Sequence, residues 1–157
     1  MIRWLALVAL IATAPLAAKE SLGVFADWAA FRDVETPRCY AIAQYTTDED
    51  ETGYTTVGTW PELDVRGQVH VRLSRETLPG ARVRMRVGSR RFDLTAQGQQ
   101  AWSKDKAMDA AIIAAMRSAR TMRVSSVGMD RRAFTDTYTL EGAATAMDAA
   151  LVGCAEL

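Results

Sequence analysis

Apolar residues recur at every second position through most of this chain, which is the period of half-buried β-strands. Val24, Ala26, Trp28 and Ala30 alternate in this way, although Val24, Trp28 and Phe31 also fit a helical turn. After Pro37 the series Cys39, Ala41, Ala43 and Tyr45 predicts another strand. The β-branched run 54–60 predicts the next, ending at Pro61, with the acidic stretch Asp48–Glu51 as a loop between them. Further on, "RTMRVSSV" and "RAFTDTYTL" read as strands, the latter with Phe134, Tyr138 and Leu140 on one face and Thr135, Thr137 and Thr139 on the other. Two alanine-rich segments change the period. Met108, Ile112, Ala115 and Met116 share one face of a helix predicted over about 104–118, with Ser103 as its N-cap. A second short helix is predicted over about 142–153, bounded by Gly142 and Gly153. The expectation is a single mainly β domain over 19–157, antiparallel and β-sandwich-like, with two short α-helices.

Two turns suggest a register in the middle of the chain. Gly88-Ser89 suits a two-residue type II′ hairpin loop, which sets Arg86 opposite Arg91, Met85 opposite Phe92 and Arg84 opposite Asp93. Leu78-Pro79-Gly80 suits a three-residue loop with Gly80 left-handed, which sets Glu76 opposite Arg82, Leu73 opposite Met85 and Arg72 opposite Arg86. Residues 69–95 then form a three-stranded meander with Val69, Val71, Leu73, Val83, Met85, Val87, Phe92 and Leu94 on one face. His70, Arg72, Arg84, Arg86, Arg91 and Asp93 lie on the other. Arg72, Arg86 and Arg91 form a row with no acid beside it, and like charges set opposite one another are unfavourable. The row is therefore a solvated face, covered by the loop Asp48–Glu51, or an anion site for a phosphate, a carboxylate or an acidic lipid headgroup.

The N-terminus sets the compartment. Arg3, the apolar run Leu5–Ala12 and the small residues after Pro15 make residues 1–18 a secretory signal peptide, removed near Ala17 or Ala18. The apolar run is too short to span a bilayer and no later segment is apolar enough, so no transmembrane span is expected. Nineteen basic and nineteen acidic side chains balance, which argues against a general nucleic-acid binder. The basic side is 16 Arg against 3 Lys, a bias that fits either a GC-rich genome or bidentate anion recognition.

Cys39 and Cys154, the two cysteines of an exported chain, are expected to form a disulfide. A redox pair or metal site has no local support, since there is no C-x-x-C and the one histidine is distant. No metalloprotease, nucleophile-elbow, P-loop or dinucleotide motif is present, and no cofactor is implied. His70 is the one candidate for acid–base work; on a basic strand face it reads instead as an exposed histidine that neighbouring arginines keep neutral. Trp28, Trp60 and Trp102 read as core or rim anchors rather than as a carbohydrate platform.

The segment "FADWAAFRDVETPRCYAIAQ", an aromatic–Asp-Trp strand followed by a Cys-bearing strand, resembles the opening of the invasion-associated locus B family. "TLEGAATAMDAAL", with Leu140 and Gly142 ahead of a small-residue helix, is similar to the end of that family. The chain departs from the family in carrying two cysteines rather than four, and in Ala143, a position often aromatic. The resemblance implies a β-sandwich-like envelope protein of the periplasm or outer membrane, linked in some bacteria to host-cell invasion, with no known reaction. Its partner would lie in the envelope or on a host surface, with an anionic lipid or polyanion as the ligand that the arginines suggest. The competing expectations are an unrecognised periplasmic enzyme using His70 and a purely structural envelope component.

Overall fold

The structure, a computed structural model, describes residues 19–46 and 52–155. The signal segment 1–18 and the acidic stretch Asp48–Glu51 lie outside the described residues. The strands are β1 (Glu20–Phe25), β2 (Trp28–Asp33), β3 (Arg38–Thr46), β4 (Thr52–Trp60) and β5 (Val65–Arg72). They continue with β6 (Val83–Val87), β7 (Arg90–Gln97), β8 (Gln100–Trp102), β9 (Thr121–Val127) and β10 (Ala133–Thr139). The helices are α1 (Lys106–Met116) and α2 (Ala143–Cys154). All ten strands join one antiparallel sheet in the order β1-β2-β3-β4-β5-β8-β7-β6-β9-β10. The mainly β, single-domain architecture with two short helices is as the alternation predicts. Its layers arise because this one sheet curls until its far edge returns to β2 and β3: Trp28 Nε1 donates to Thr139 O at 2.9 Å, and the Tyr45 and Tyr138 rings lie 6.0 Å apart.

Composition explains how the helices seat. The inner face of β2 and β3 carries Ala30, Cys39, Ala41 and Ala43, and α2 meets it with Ala143, Ala146, Met147, Ala150 and Cys154, all buried. Small side chains on both surfaces let the helix approach closely, and Cys39 bonds to Cys154 across that contact with Cα atoms 5.6 Å apart. On α1, Ile112, Ala115 and Met116 are buried as the helical face predicts, with Met108 partly so. The N-cap is Asp105, whose side chain accepts from Met108 N at 2.7 Å, and not Ser103. The Ser103 hydroxyl donates instead to the buried carboxylate of Asp109, which also accepts from Val69 N at 2.8 Å and so ties α1 to β5.

Two further local expectations fail. Val24–Ala30 is neither one strand nor a helical turn but a hairpin: Phe25 pairs with Trp28, and Ala26, at φ +50°, closes the two-residue loop. More consequentially, residues 69–95 do not form a meander. The hairpin at Gly88-Ser89 forms in the predicted register, with Arg86 opposite Arg91 and Arg84 opposite Asp93. β5, however, pairs with β4 and β8, while β6 pairs with β7 and β9. Gly80 is left-handed at φ +80° as expected, but Ala81 N donates to Leu78 O at 2.9 Å, so Pro79-Gly80 forms a tight two-residue turn and not the expected three-residue loop. What diverts the chain is the polar run just before that turn. Ser74 gives its backbone N–H and its hydroxyl to the buried Asp136 carboxylate of β10, at 2.9 and 2.5 Å. Thr77 then bridges to Gly128, and Glu76 O accepts from Met129 N, so no Glu76–Arg82 pair forms among the described residues. The segment 73–82 is a crossover between the two halves of the sheet. β8 fills the gap it leaves, through a two-residue loop in which Gly98 takes φ +58°.

Candidate functional site

Both helices pack on the inner face, so the alternate residues of each strand make an outward face that neither helix covers. Two regions of it stand out. Across β7, β6 and β9, Arg91, Arg86 and Arg123 are directly opposite one another, all exposed. The next outward row is Asp93, Arg84, Ser125 and Thr135. Arg84 Nε lies 3.7 Å from Asp93 Oδ1, and both side chains are well exposed, so solvent screens the pair. Arg86 Nε donates to Gly88 O at 3.0 Å. Arg91 and Arg123 have no carboxylate partner among the described residues. The two rows enclose an open depression of about 710 Å³.

Arg72 is not in this row. It lies on β5 between Tyr54 and Gln100, with β8 and β7 separating it from Arg86, and its Nη2 donates to Gln99 Oε1 at 3.4 Å. The predicted row of Arg72, Arg86 and Arg91 is therefore corrected to Arg91, Arg86 and Arg123. The physical reason is the crossover at Ser74, which moves β5 away and leaves β9 to take the open edge of β6.

The second region lies on β3, β4 and β5. Ile42, Thr56, His70 and Trp102 form one cross-strand row and Tyr40, Gly58 and Gln68 the next. The benzene edge of the Trp60 indole sits directly above Gly58, where a Cβ would lie 2.6 Å from two of its carbons. Around it the Tyr54 ring lies tilted by 53° to His70, ring centres 6.1 Å apart, and the Arg38 guanidinium carbon lies 5.3 Å from the Tyr40 ring centre. Arg38, Tyr40, Tyr54, Trp60, Gln68 and His70 line a depression of about 410 Å³. Trp60 and Trp102 reach this face half-buried, while Trp28 lies in the core. The three tryptophans thus do not form one platform.

His70 is half-buried rather than exposed, and its Nε2 lies 2.7 Å from Gln100 Oε1. Burial holds its pKa below the ordinary histidine value despite that hydrogen bond. The ring is neutral near pH 7 for that reason, not through a neighbouring arginine. Among the described residues no carboxylate hydrogen-bonds to it, and no three His, Cys, Asp or Glu side chains are grouped to hold a metal ion. The buried carboxylates are engaged elsewhere: Asp33 with Thr36 N and Arg38, Asp109 with Val69 and Ser103, Asp136 with Ser74.

The invasion associated locus B (IalB) family model matches residues 29–151. The chain belongs to the invasion associated locus B family. A search of curated proteins finds no match. Among solved structures, the crystal structure of invasion associated protein b from Bartonella henselae is similar in fold, with a TM-score of 0.64 at 16% identity over 86% of this chain and 96% of that one. In this IalB-family chain the two segments that resemble the family meet in space: Phe25 and Trp28 of the first contact Gly142 and Thr139 of the second.

Sequence reasoning left Arg123 out of the site. The alternation of Met122, Val124 and Ser126 with Thr121, Arg123 and Ser125 already points Arg123 outward, but nothing local says which strand β9 joins. The Gly58–Trp60 pair was equally silent, because a glycine beneath an indole two residues on has no fixed sequence signature.

Proposed function

We propose that this chain is an exported envelope protein, released from its signal peptide near Ala17 or Ala18 into the periplasm or to the outer membrane, and that it acts by binding and not by catalysis. The observation that carries this reading is the contrast between the two faces of the sheet. The inner face receives both helices, and its acids are held in structural hydrogen bonds. The outward face carries the arginine row and the aromatic depression with no helix over them. His70 leans on an amide, which leaves it without the orienting acid that general acid–base work at a histidine usually employs. The partner belongs to the envelope or to a host surface, in keeping with a structural neighbour named as invasion associated.

Photo-crosslinking in the source bacterium tests this reading. A crosslinker placed at Ser125 or Thr56, on the outward face, is expected to give defined adducts in the envelope fraction. One placed at Ala114, exposed on α1, is expected to give none. Adducts from Ala114 alone, or an unprocessed chain retained in the cytoplasm, would overturn it.

A further inference from the structure

We propose that Arg86, Arg91 and Arg123 bind two phosphate groups carried close together on one molecule. This inference rests on the binding role just given and names the ligand class for one part of that face. Charge comes first. The depression is lined by four arginines, Arg84, Arg86, Arg91 and Arg123, and by one acid, Asp93, a local excess of three positive charges. A single carboxylate would leave most of that excess in place. A phosphomonoester carries about −1.5 to −2 at neutral pH, so two of them match it.

Spacing agrees. Neighbouring strands are about 4.8 Å apart, so three in-register arginines span roughly 10 Å, which two adjacent phosphates can bridge with the central Arg86 shared between them. Guanidinium forks suit phosphate oxygens because each can donate two parallel N–H bonds. Ser125 and Thr135, in the adjoining row, present hydroxyl donors to the same depression. Its volume, about 710 Å³, falls within the range of small-molecule sites.

The surroundings favour phosphate recognition without membrane insertion. Among the described residues, the exposed large hydrophobics are Val24, Val34, Leu63, Met129, Leu151 and Val152, and none lines the depression. A phosphorylated ligand would meet the row as charge, whether it is free in solution or the headgroup of a lipid.

Calorimetric titration of the mature chain at low salt tests the site, with inorganic pyrophosphate as probe, and with orthophosphate and citrate as single-phosphate and polycarboxylate controls. Pyrophosphate is expected to bind at least about tenfold more tightly than either control. Arg123→Gln is expected to weaken it about tenfold, and Arg123→Lys, which keeps the charge but loses the fork, by less. Arg72→Gln, outside the row, is expected to leave binding unchanged. Circular dichroism of each variant checks that the sheet is intact, and the lysine variant serves if the glutamine variant misfolds. Sedimentation with phosphatidylcholine vesicles containing phosphatidylinositol 4,5-bisphosphate, whose headgroup carries two adjacent phosphomonoesters, assigns the carrier: Arg123-dependent pelleting indicates a lipid headgroup, and pyrophosphate binding without pelleting indicates a soluble phosphate. Either outcome supports the site. Wild-type affinity in both Arg123 variants, an equal loss in Arg72→Gln, or citrate binding as tightly as pyrophosphate would overturn it. Adducts at Ser125 or Thr56 alongside any of those results would leave the binding role standing and remove only the phosphate assignment.

Discussion

The indole Nε1 of Trp28 donates to the carbonyl oxygen of Thr139, 111 residues further along the chain, at 2.9 Å. Close by, Gly142 takes φ +83° and sits so near the β1–β2 hairpin that a Cβ there would lie 1.8 Å from Phe25 O. The hairpin and the start of α2 are thus one contact, and the glycine is required twice, for its backbone conformation and for its lack of a side chain.

Gly142→Ala is therefore expected to destabilise the fold by at least about 3 kcal/mol, combining a left-handed backbone penalty with displacement of the hairpin. Urea unfolding measures it. A loss below about 1 kcal/mol would mean that the hairpin yields freely.

The bridge from Cys39 to Cys154 closes a separation of 115 residues. Replacing both cysteines with serine is expected to reduce stability by about 5 kcal/mol, because the unfolded chain regains the freedom the loop removed. Denaturant midpoints of the two forms check this. A difference under about 2 kcal/mol would place the clamp in the alanine packing between α2 and the sheet instead.

Asp136 is buried on an inner face and satisfies both the backbone N–H and the hydroxyl of Ser74. Asp136→Ala is expected to cost about 3 kcal/mol, since two buried donors lose their acceptor, whereas Ser74→Ala should cost about 1. The two changes should be strongly non-additive in a double-mutant cycle. Additivity would show that the crossover is held by other contacts.

His70 gives a pH signature. Its pKa in the folded chain is below the unfolded value of 6.5, so on acidification the unfolded state takes up the proton first. Stability is then full above pH 6.5, falls as pH drops below it, and levels off once the folded form also protonates. The difference in melting temperature between wild type and His70→Gln should shrink between pH 7.5 and 5.5. A constant difference would mean that the ring is solvated enough to titrate normally.

Much of the fold was legible because alternation reports burial directly. Val83, Met85 and Val87 are buried and Arg84 and Arg86 exposed, as a period of two requires, and the Gly88-Ser89 turn fixed the partner of each. The site was legible in two of its three arginines. Arg123 was lost because register between distant strands is decided by tertiary contacts, here the capture of Ser74 by Asp136, a carboxylate on a face that otherwise reads as apolar. Three-residue β8 escaped notice for a related reason. "QAW" is too short to show any period, and the strand exists because β5 and β7 each offer it an unpaired edge.

That short strand has a mechanical consequence. The β-ladder that joins the two halves of the sheet runs through β8, three residue pairs to β5 and three to β7. It acts as a stitch in an otherwise broad fabric. Under tension or transient opening, the ladder has fewest rungs there, while the disulfide, the Trp28 contact and the Asp136 clasp hold the cloth elsewhere. The backbone amides of Gln100, Ala101 and Trp102 therefore report on the parting of two half-sheets, an event far larger than the fraying of one small strand.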